Sequence, residues 1–342
     1  PGRRASRATS AGSRAASEVV RIANARSGEG FVAVGSEARK KFWLDRKRTA
    51  AISKHTNAFK INEDVVIPLD RMGEYTDGIE RINIELSLRN KHELVERLEA
   101  FFLSGALPLG KGDDAGAIAS AELLEDRVQQ ALALLRETGG LWRRWLDHLD
   151  LKLGDSPRTV FELLQDHTLR ASWKTALRAP LRTIFAGAAL APIAEAAERL
   201  HREVLRGRVW VALHMHAGDG NVHTNIPVNS DDYRMLQTAH EAVARIMALA
   251  RRLGGVISGE HGIGITKLEF VTDEELAGFA VYKQRVDPEG RFNKGKLLRR
   301  PSDGARRADL TDAWTPSFGL MGHESLIMQQ SDIGAIADSV KD

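Results

Sequence analysis

The stretch RVWVALHMHAGDGNVHTNIPV, residues 208–228, decides the fold of this 342-residue chain. Apolar and polar residues alternate on either side of the letters GDG, and alternation with a period of two is typical of half-buried β-strands. We therefore predict two strands, within residues 208–217 and 221–228, that form a hairpin. Asp-Gly is a favoured central pair of the two-residue type I′ turn, so Asp219 and Gly220 are expected at the tip.

The position of that turn determines which histidines of the hairpin lie close together. With the turn centred on Asp-Gly, His216 faces His223 and His214 faces Asn225. Alternation then places all four side chains on one face of the sheet, with opposed β-carbons about 4.5–5.5 Å apart. Two imidazoles at that separation are close enough to share one divalent ion.

A site with two histidines needs a further ligand, and Glu260 in the stretch SGEHG is the best candidate. Gly259 and Gly262 allow the backbone there to approach a neighbouring group closely. Two histidines and one carboxylate, with open positions, are the ligands of a catalytic zinc or non-haem iron site. His261 would then lie beside the metal as a general base, because histidine titrates near physiological pH. A second interpretation stays open, in which the paired histidines are structural polar residues bonded to the backbone.

Composition excludes several classes of protein. The chain has no cysteine, which excludes disulfides, thiolate zinc sites and iron–sulfur ligation within it and fits a reducing compartment. Its net charge of +3 includes no long block of one sign, so a nucleic-acid-binding surface is not indicated. The longest apolar run, residues 183–197, is too short to span a bilayer. No apolar segment follows the first arginines, so a signal peptide is not indicated either.

Patterns before the hairpin predict one helix, two strands and a second helix. Residues 36–56 have helical spacing. DVVIP at 64–68 is a short apolar run ended by proline, and INIEL at 82–86 alternates with a period of two, so both are predicted as strands. Asn90 and Glu93 then resemble a capping box that opens the next helix.

Helix signals dominate from residue 116 to about residue 206, as in AELLEDRVQQALALLRETGG at 121–140, and we interpret this stretch as a helical insertion. After the hairpin, Ser230 and two aspartates are predicted to cap a long helix that stops at Gly254–Gly255. GVISGEHGIGITK, residues 255–267, is predicted as a strand followed by a glycine-rich loop. Strands separated by helices predict an α+β fold, with an antiparallel sheet that has helices on one face and a helical insertion.

Three motifs, taken together and in order, resemble the C-terminal domain of FAD-linked oxidases, the family of D-lactate dehydrogenases, glycolate oxidase flavoprotein subunits and D-2-hydroxyglutarate dehydrogenases. They are HMHAGDGNVHTNIPV, GGVISGEHGIGITK and VDPEGRFNKGKLL, within residues 206–298. Residues 36–100 resemble the first half of the same domain through FWLDRKR and EDVVIPLDRM. The resemblance implies that a helical insertion, residues 101–205, splits this domain. A linker at 1–35 precedes it, and a tail at 299–342 leads to a further domain.

The resemblance also implies roles for individual residues. The zinc ligands would be His216, His223 and Glu260. His261 would take the hydroxyl proton of the substrate, and Asn225 would contact the substrate. Arg46 would pair with the substrate carboxylate, a task that suits its planar guanidinium. Arg46 fits an exposed charge in a basic helix equally well, and both interpretations stay open.

The activity implied by the resemblance is that of an FAD-dependent 2-hydroxy-acid dehydrogenase, which oxidises a small hydroxy acid to the 2-oxo acid by hydride transfer to flavin. This chain would supply the substrate- and metal-binding domain, while FAD would be bound mainly by an upstream domain. An iron–sulfur domain would follow downstream. The isolated chain is expected to be inactive, and the protein is expected in the cytoplasm, free or peripheral to the inner membrane. Two alternatives are a metal-dependent hydrolase with the same three ligands and a non-catalytic remnant domain.

Overall fold

The computed structural model describes residues 2–26, 32–49, 58–110, 121–229, 231–264, 266–293 and 297. The chain divides into two units after Phe59, and each is described by itself. The first unit contains helix α1 (Gly2–Asn24) and helix α2 (Ser36–Thr49). The stretch predicted as a linker therefore includes a helix of 23 residues. The helix predicted at 36–56 is confirmed as far as Thr49.

The second unit combines a small sheet with several helices. Its strands are β1 (Ala58–Val66), which begins at the boundary of the units, β2 (Ala212–His216) and β3 (Asn221–Asn229), in the order β1–β3–β2. Its helices are α3 (Met72–Leu103), α4 (Ala121–Asp147), α5 (Val160–Gln165), α6 (Ala179–Ile184), α7 (Ala191–Arg206), α8 (Tyr233–Arg252) and α9 (Asp273–Val286). These elements confirm the predicted α+β class with an antiparallel sheet.

The hairpin forms where it was predicted, but its register differs by two residues. β2 and β3 are antiparallel, with His214 opposite His223 and His216 opposite Asn221. The predicted pairing of His216 with His223 and of His214 with Asn225 is therefore wrong. A shift of two residues keeps the alternation of a strand, so these side chains still share one face of the sheet.

The turn explains the different register. A type I′ turn needs a positive φ at both central residues, and Gly220 has a φ of 74° whereas Asp219 does not have a positive φ. Residues 217–220 instead form a four-residue loop, in which the Asp219 N–H donates to the His216 carbonyl at 3.0 Å. The Gly220 carbonyl accepts from the N–H of Ile67 at 2.8 Å, so the loop is held against the end of β1.

The segment INIEL is helical, and its predicted strand is wrong. It lies inside α3, as do Asn90 and Glu93, so the predicted capping box is wrong as well. The alternation in INIEL coincides with helical spacing, because two of its apolar residues and one from the preceding turn share a buried face. These residues are Ile79, Ile82 and Leu86.

The polar residues of α3 that suggested a strand and a cap instead bond to other elements. The Asn83 carboxamide pairs with the backbone of Val211 just before β2. Its Nδ2 donates to the carbonyl at 2.9 Å, and the Val211 N–H donates to Oδ1 at 2.8 Å. Asn90 Nδ2 donates to the carbonyl of Val204 near the end of α7 at 3.1 Å. Both asparagines thus fix α3 to the chain that leads into the hairpin.

The helices α3 to α7 share one apolar core. The helix predicted at 121–140 is confirmed as part of α4. Trp142 on this helix is buried together with Phe102 and Phe185, whose rings stack with centroids 5.4 Å apart. Within the described part of the chain, every helix is too short or too polar to span a lipid bilayer. The predicted tail, residues 299–342, lies outside the described residues.

Helix α8 follows the hairpin and packs against β3 and α3. Its predicted cap is confirmed at Asp232, whose side chain accepts from the N–H of Met235 at 2.9 Å, while Ser230 lies outside the described residues. The apolar stripe that faces the core includes Val243, Ile246, Met247 and Ala250. The helix ends just before Gly254, whose φ of 74° lies in the left-handed region that glycine favours.

The stretch at 255–267 is a loop, so the strand predicted at its start is wrong. Among the described residues it makes a single isolated antiparallel bridge, between Val256 and Val66. A Cβ on Gly255 would lie 2.4 Å from the Val66 carbonyl oxygen. The loop therefore begins in close contact with the end of β1, which leaves no room for a side chain at this glycine.

We expect replacement of Gly220 by alanine to destabilise the chain by about 2–4 kcal/mol, because alanine is strained at its φ and needs space that is filled. The added Cβ would lie 2.3 Å from the Ile67 carbonyl oxygen. Gly218→Ala in the same loop is the matched control, since its Cβ would have no neighbour within 4 Å. Urea denaturation of the three proteins measures the difference. A loss of stability at Gly218 as large as that at Gly220 would contradict this account.

Candidate metal centre and active site

The side chains of His216, His223 and Glu260 converge on one side of the hairpin. One nitrogen or carboxylate oxygen from each lies within 4.8 Å of the others. His223 Nε2 is 3.5 Å from Glu260 Oε2, and His216 Nε2 is 3.9 Å from Glu260 Oε1. Two ligands of a tetrahedral zinc ion lie about 3.4 Å apart, so small side-chain movements would bring all three onto one ion. The donor set and its spacing fit a divalent metal.

The three residues differ in exposure, and the difference gives the site an inner and an outer side. His223 is buried, whereas the side chains of His216 and Glu260 are 42% and 57% exposed. Burial lowers the pKa of His223, and the nearby imidazole of His261 lowers it further. A neutral imidazole is the form that binds metal ions, so the inner ligand is prepared for that role.

His261 lies beside this triangle of ligands. Its ring centroid is 5.1 Å from that of His223, and its Nδ1 is 3.6 Å from Asp64 Oδ1. One third of its side chain is exposed. The predicted general base therefore lies next to the three predicted ligands and faces the same open side.

Asn225 and His214 extend the same face of the hairpin away from the turn. The Oδ1 atom of Asn225 is buried and has no hydrogen-bond partner among the described residues. The His214 ring centroid lies 5.8 Å from that of His216 and 6.0 Å from that of His223. His214 is exposed and is not one of the three residues whose ligand atoms converge.

Arg46, the last of the predicted site residues, belongs to α2 in the first unit, and its side chain lies outside the described residues. Its predicted pairing with a substrate carboxylate stays a prediction.

Asp64 is the residue of this region whose role the sequence did not reveal. Its side chain is completely buried, and its Oδ2 accepts the N–H groups of Gly259 at 2.7 Å, of Glu260, and of His261 at 3.1 Å. The ammonium of Lys267, which is 1% exposed, donates to Asp64 Oδ1 and, at 2.9 Å, to the Asp64 carbonyl. A charged residue directly before the apolar residues of DVVIP was the available signal, since a buried carboxylate needs a partner.

The charges around Asp64 shift its pKa downwards. Burial by itself acts to raise it, but the hydrogen bonds from Lys267 and from the backbone N–H groups of Glu260 and His261 outweigh burial and hold the pKa well below its usual range. The neighbouring Glu63 differs, because burial raises its pKa although Lys267 lies 3.3 Å away and opposes the shift. Of the two neighbouring carboxyl groups, Asp64 and Glu63, Asp64 is thus the one that carries the fixed negative charge.

The family model described as FAD linked oxidases, C-terminal domain, matches residues 4–92 and 188–297, which are more than half of the chain. The chain belongs to this family. The membership confirms the resemblance carried by the three motifs. The matched ranges of this FAD-linked oxidase domain contain the sheet, the hairpin and the 255–267 loop, and they omit residues 93–187. The bounds predicted for the insertion, 101–205, and for the other segments stay predictions.

Several curated proteins are similar to part of the domain. The glycolate oxidase subunit GlcD of Escherichia coli (strain K12) is 37% identical over 92 residues, which are 26% of this chain and 18% of GlcD. A D-lactate dehydrogenase of Archaeoglobus fulgidus is 40% identical over 88 residues, 25% of this chain and 19% of that protein. The mitochondrial D-lactate dehydrogenase [cytochrome] of Arabidopsis thaliana is 28% identical over 113 residues, 32% of this chain and 20% of that protein. The chain spans about a fifth of the length of these relatives.

Acid should reveal the buried charge of Asp64. Because its pKa is lowered in the folded chain, the stability it contributes is present above its ordinary pKa of 3.8 and is lost as the pH falls through the lower folded value. Between these two pKa values, we expect the free energy of unfolding of the metal-free chain to fall more steeply with decreasing pH than that of the double variant Asp64→Asn, Lys267→Met, by about 1.4 kcal/mol per pH unit. Urea denaturation at about pH 5 and about pH 3 measures the slopes. Equal losses in both proteins would contradict the assignment.

Proposed function

We propose that this chain is the substrate- and metal-binding domain of an FAD-dependent 2-hydroxy-acid dehydrogenase that oxidises a hydroxy acid of the D-lactate, glycolate or D-2-hydroxyglutarate class. The observation that carries the proposal is the convergence of His216, His223 and Glu260, with His261 beside them. The names of the relatives, a glycolate oxidase subunit and D-lactate dehydrogenases, support the class of substrate.

The three converging residues would hold a divalent metal, and the inferred ion is Zn²⁺. When bound, such an ion supplies Lewis acidity, which lowers the pKa of a coordinated hydroxyl group. His223 would fix it from the buried side, while the exposed side chains of His216 and Glu260 leave the outer side open to a hydroxy acid. An open outer side is what distinguishes a catalytic site from a closed structural one.

His261 would accept the hydroxyl proton of the substrate. Its Nδ1 is close to the Asp64 carboxylate, so Nε2 is the nitrogen left for the substrate. A carboxylate next to one ring nitrogen also stabilises the imidazolium formed when the other takes a proton. Asn225 would bond the substrate through its side-chain carboxamide, whose Oδ1 has no partner among the described residues. Arg46 would bind the substrate carboxylate.

FAD, bound mainly by a domain upstream of this one, supplies the hydride acceptor. We further propose that electrons leave the flavin through an iron–sulfur domain downstream. The chain contains no cysteine, so its own residues would not provide the thiolate ligands of such clusters. The location in the cytoplasm or at the inner membrane belongs to the same proposal.

Metal binding by the 342-residue chain tests whether the three converging residues form a metal centre. We expect one Zn²⁺ or Co²⁺ per chain, and an affinity reduced by about 100-fold or more in His216→Ala, because one of three ligands is lost. His214→Ala is the matched control, since it removes an exposed histidine from the same strand and face but outside the triangle. Isothermal titration measures the affinities. Equal effects of the two substitutions would contradict the proposed centre.

The role of His261 is tested in the full-length protein with its FAD. We expect His261→Gln to slow reduction of the flavin by hydroxy acid by about 100- to 10,000-fold, because the proton acceptor is lost, while the metal content stays unchanged. Anaerobic stopped-flow absorbance of the flavin measures the rate with D-lactate, glycolate and D-2-hydroxyglutarate. His148→Gln, an exposed histidine of the helical region, is the control. Unchanged reduction in His261→Gln would contradict its role, and no reduction by any of the acids in the parent protein would favour a hydrolase or a remnant.

A further inference from the structure

We propose that Asp64 is the positioning residue of this site, and that Lys267 holds its carboxylate in place. By accepting the backbone N–H groups of residues 259–261, Asp64 would set the conformation in which Glu260 and His261 face the same centre. The consequence for metal binding rests on the proposed function. The consequence for the backbone of the loop does not.

Three consecutive backbone N–H groups converge on one oxygen atom. Asp64 Oδ2 accepts from Gly259, Glu260 and His261, and the Ser258 hydroxyl is 3.4 Å from Oδ1. Successive N–H groups that point to one anion form a concave nest, which fixes the backbone of a short loop. The described residues of this loop form no helix or strand, so these bonds and the Val66–Val256 bridge are its ordered backbone contacts to β1.

The countercharge for the Asp64 carboxylate comes from the far end of the same loop. Lys267 lies six residues after His261 and donates to both the carboxylate and the carbonyl of Asp64. A buried carboxylate costs free energy unless it is paired and hydrogen-bonded, and here both conditions are met. Asp64 therefore binds the loop at two places, through N–H groups in its middle and through an ammonium at its far end.

The loop is closely packed at Gly259, the residue before Glu260. A Cβ on Gly259 would lie 2.6 Å from Asn221 Oδ1 and 2.8 Å from Val66 Cγ2. The loop is therefore pressed between β3 and β1 at the residue before the ligand. His261 Nδ1 is also 3.6 Å from Asp64, so this carboxylate contacts the imidazole as well as the backbone. Groups that orient metal ligands in this way typically change metal affinity by about 10- to 100-fold when removed.

Two double variants separate the acceptor oxygen from the charge. In Asp64→Asn, Lys267→Met the buried pair is neutral, and the amide oxygen of asparagine can still accept the N–H groups. In Asp64→Leu, Lys267→Met the pair is also neutral, and leucine has the shape of asparagine without an acceptor. Neither variant leaves a buried ammonium without its partner, which a single substitution of Asp64 would do.

Metal binding gives the first readout. We expect the leucine double variant to bind Co²⁺ at least about tenfold more weakly than the asparagine double variant, with a changed visible absorption spectrum of the bound Co²⁺. Circular dichroism checks that both chains are folded at the temperature of the titration. A purely structural role would lower the thermal midpoint of the metal-free leucine variant but leave the affinity and spectrum equal, and that result would overturn the proposal.

Amide hydrogen exchange gives a second readout that needs neither metal nor flavin. In the metal-free parent chain, we expect the N–H groups of Gly259, Glu260 and His261 to exchange slowly although these residues are exposed, because each N–H is bonded to a buried oxygen. They should exchange faster in the leucine double variant than in the asparagine one. Rates typical of an unprotected loop in the parent chain would overturn the proposal even if neither double variant folds. If the parent chain binds no Co²⁺ but protects these amides, the proposed metal centre fails and the positioning role of Asp64 stands.

Discussion

The buried ion pair of Asp64 and Lys267 is the interaction on which the geometry of the site depends, because it closes the glycine-rich loop onto β1. The same end of β1 also receives the start of that loop and the turn of the hairpin. Val66 exchanges two backbone hydrogen bonds of 2.9 Å with Val256, and the Ile67 N–H donates to the Gly220 carbonyl. Two segments that are distant in sequence, the loop and the hairpin, thus share a few consecutive residues as their point of attachment. The proposed metal ligands of the hairpin and of the loop are positioned relative to each other through this one strand end.

The composition of the site could be predicted from sequence because it depends on alternation and not on the detailed turn. His216 and His223 were expected to be opposite each other, and they are diagonal neighbours instead. Their rings still lie 5.6 Å apart, since a shift of two residues preserves the face of every side chain. A shift of one residue would have placed one of them on the opposite face. The turn itself could not be predicted, because the conformation of Gly220 is coupled to a contact with Ile67, which no local pattern encodes.

The errors in the rest of the fold have a related cause. In INIEL and in the Asn90–Glu93 pair, local patterns that are typical of a strand and a cap were produced by residues that bond to distant backbone. Asn83 satisfies the N–H and carbonyl groups of Val211, and Asn90 satisfies a carbonyl near the end of α7. Asp64 is a similar case in the site, since its buried charge near the end of β1 is explained only by its contacts with the 259–261 backbone and with Lys267. A long helix with buried residues at helical spacing overrides a short alternation.

The way the ligands are held bears on how a metal would bind. His223 is buried on a paired strand, while Glu260 follows a glycine that is packed against Asn221 of the same strand. Between these two ligands in sequence lies α8, which packs along β3 and returns the chain to the end of β1. Hairpin and loop are therefore connected by helix α8 and by backbone hydrogen bonds that do not involve an ion. In the proposed metal centre, a backbone held in this way would have little conformational entropy left to lose when an ion binds, so more of the binding free energy would be available for affinity.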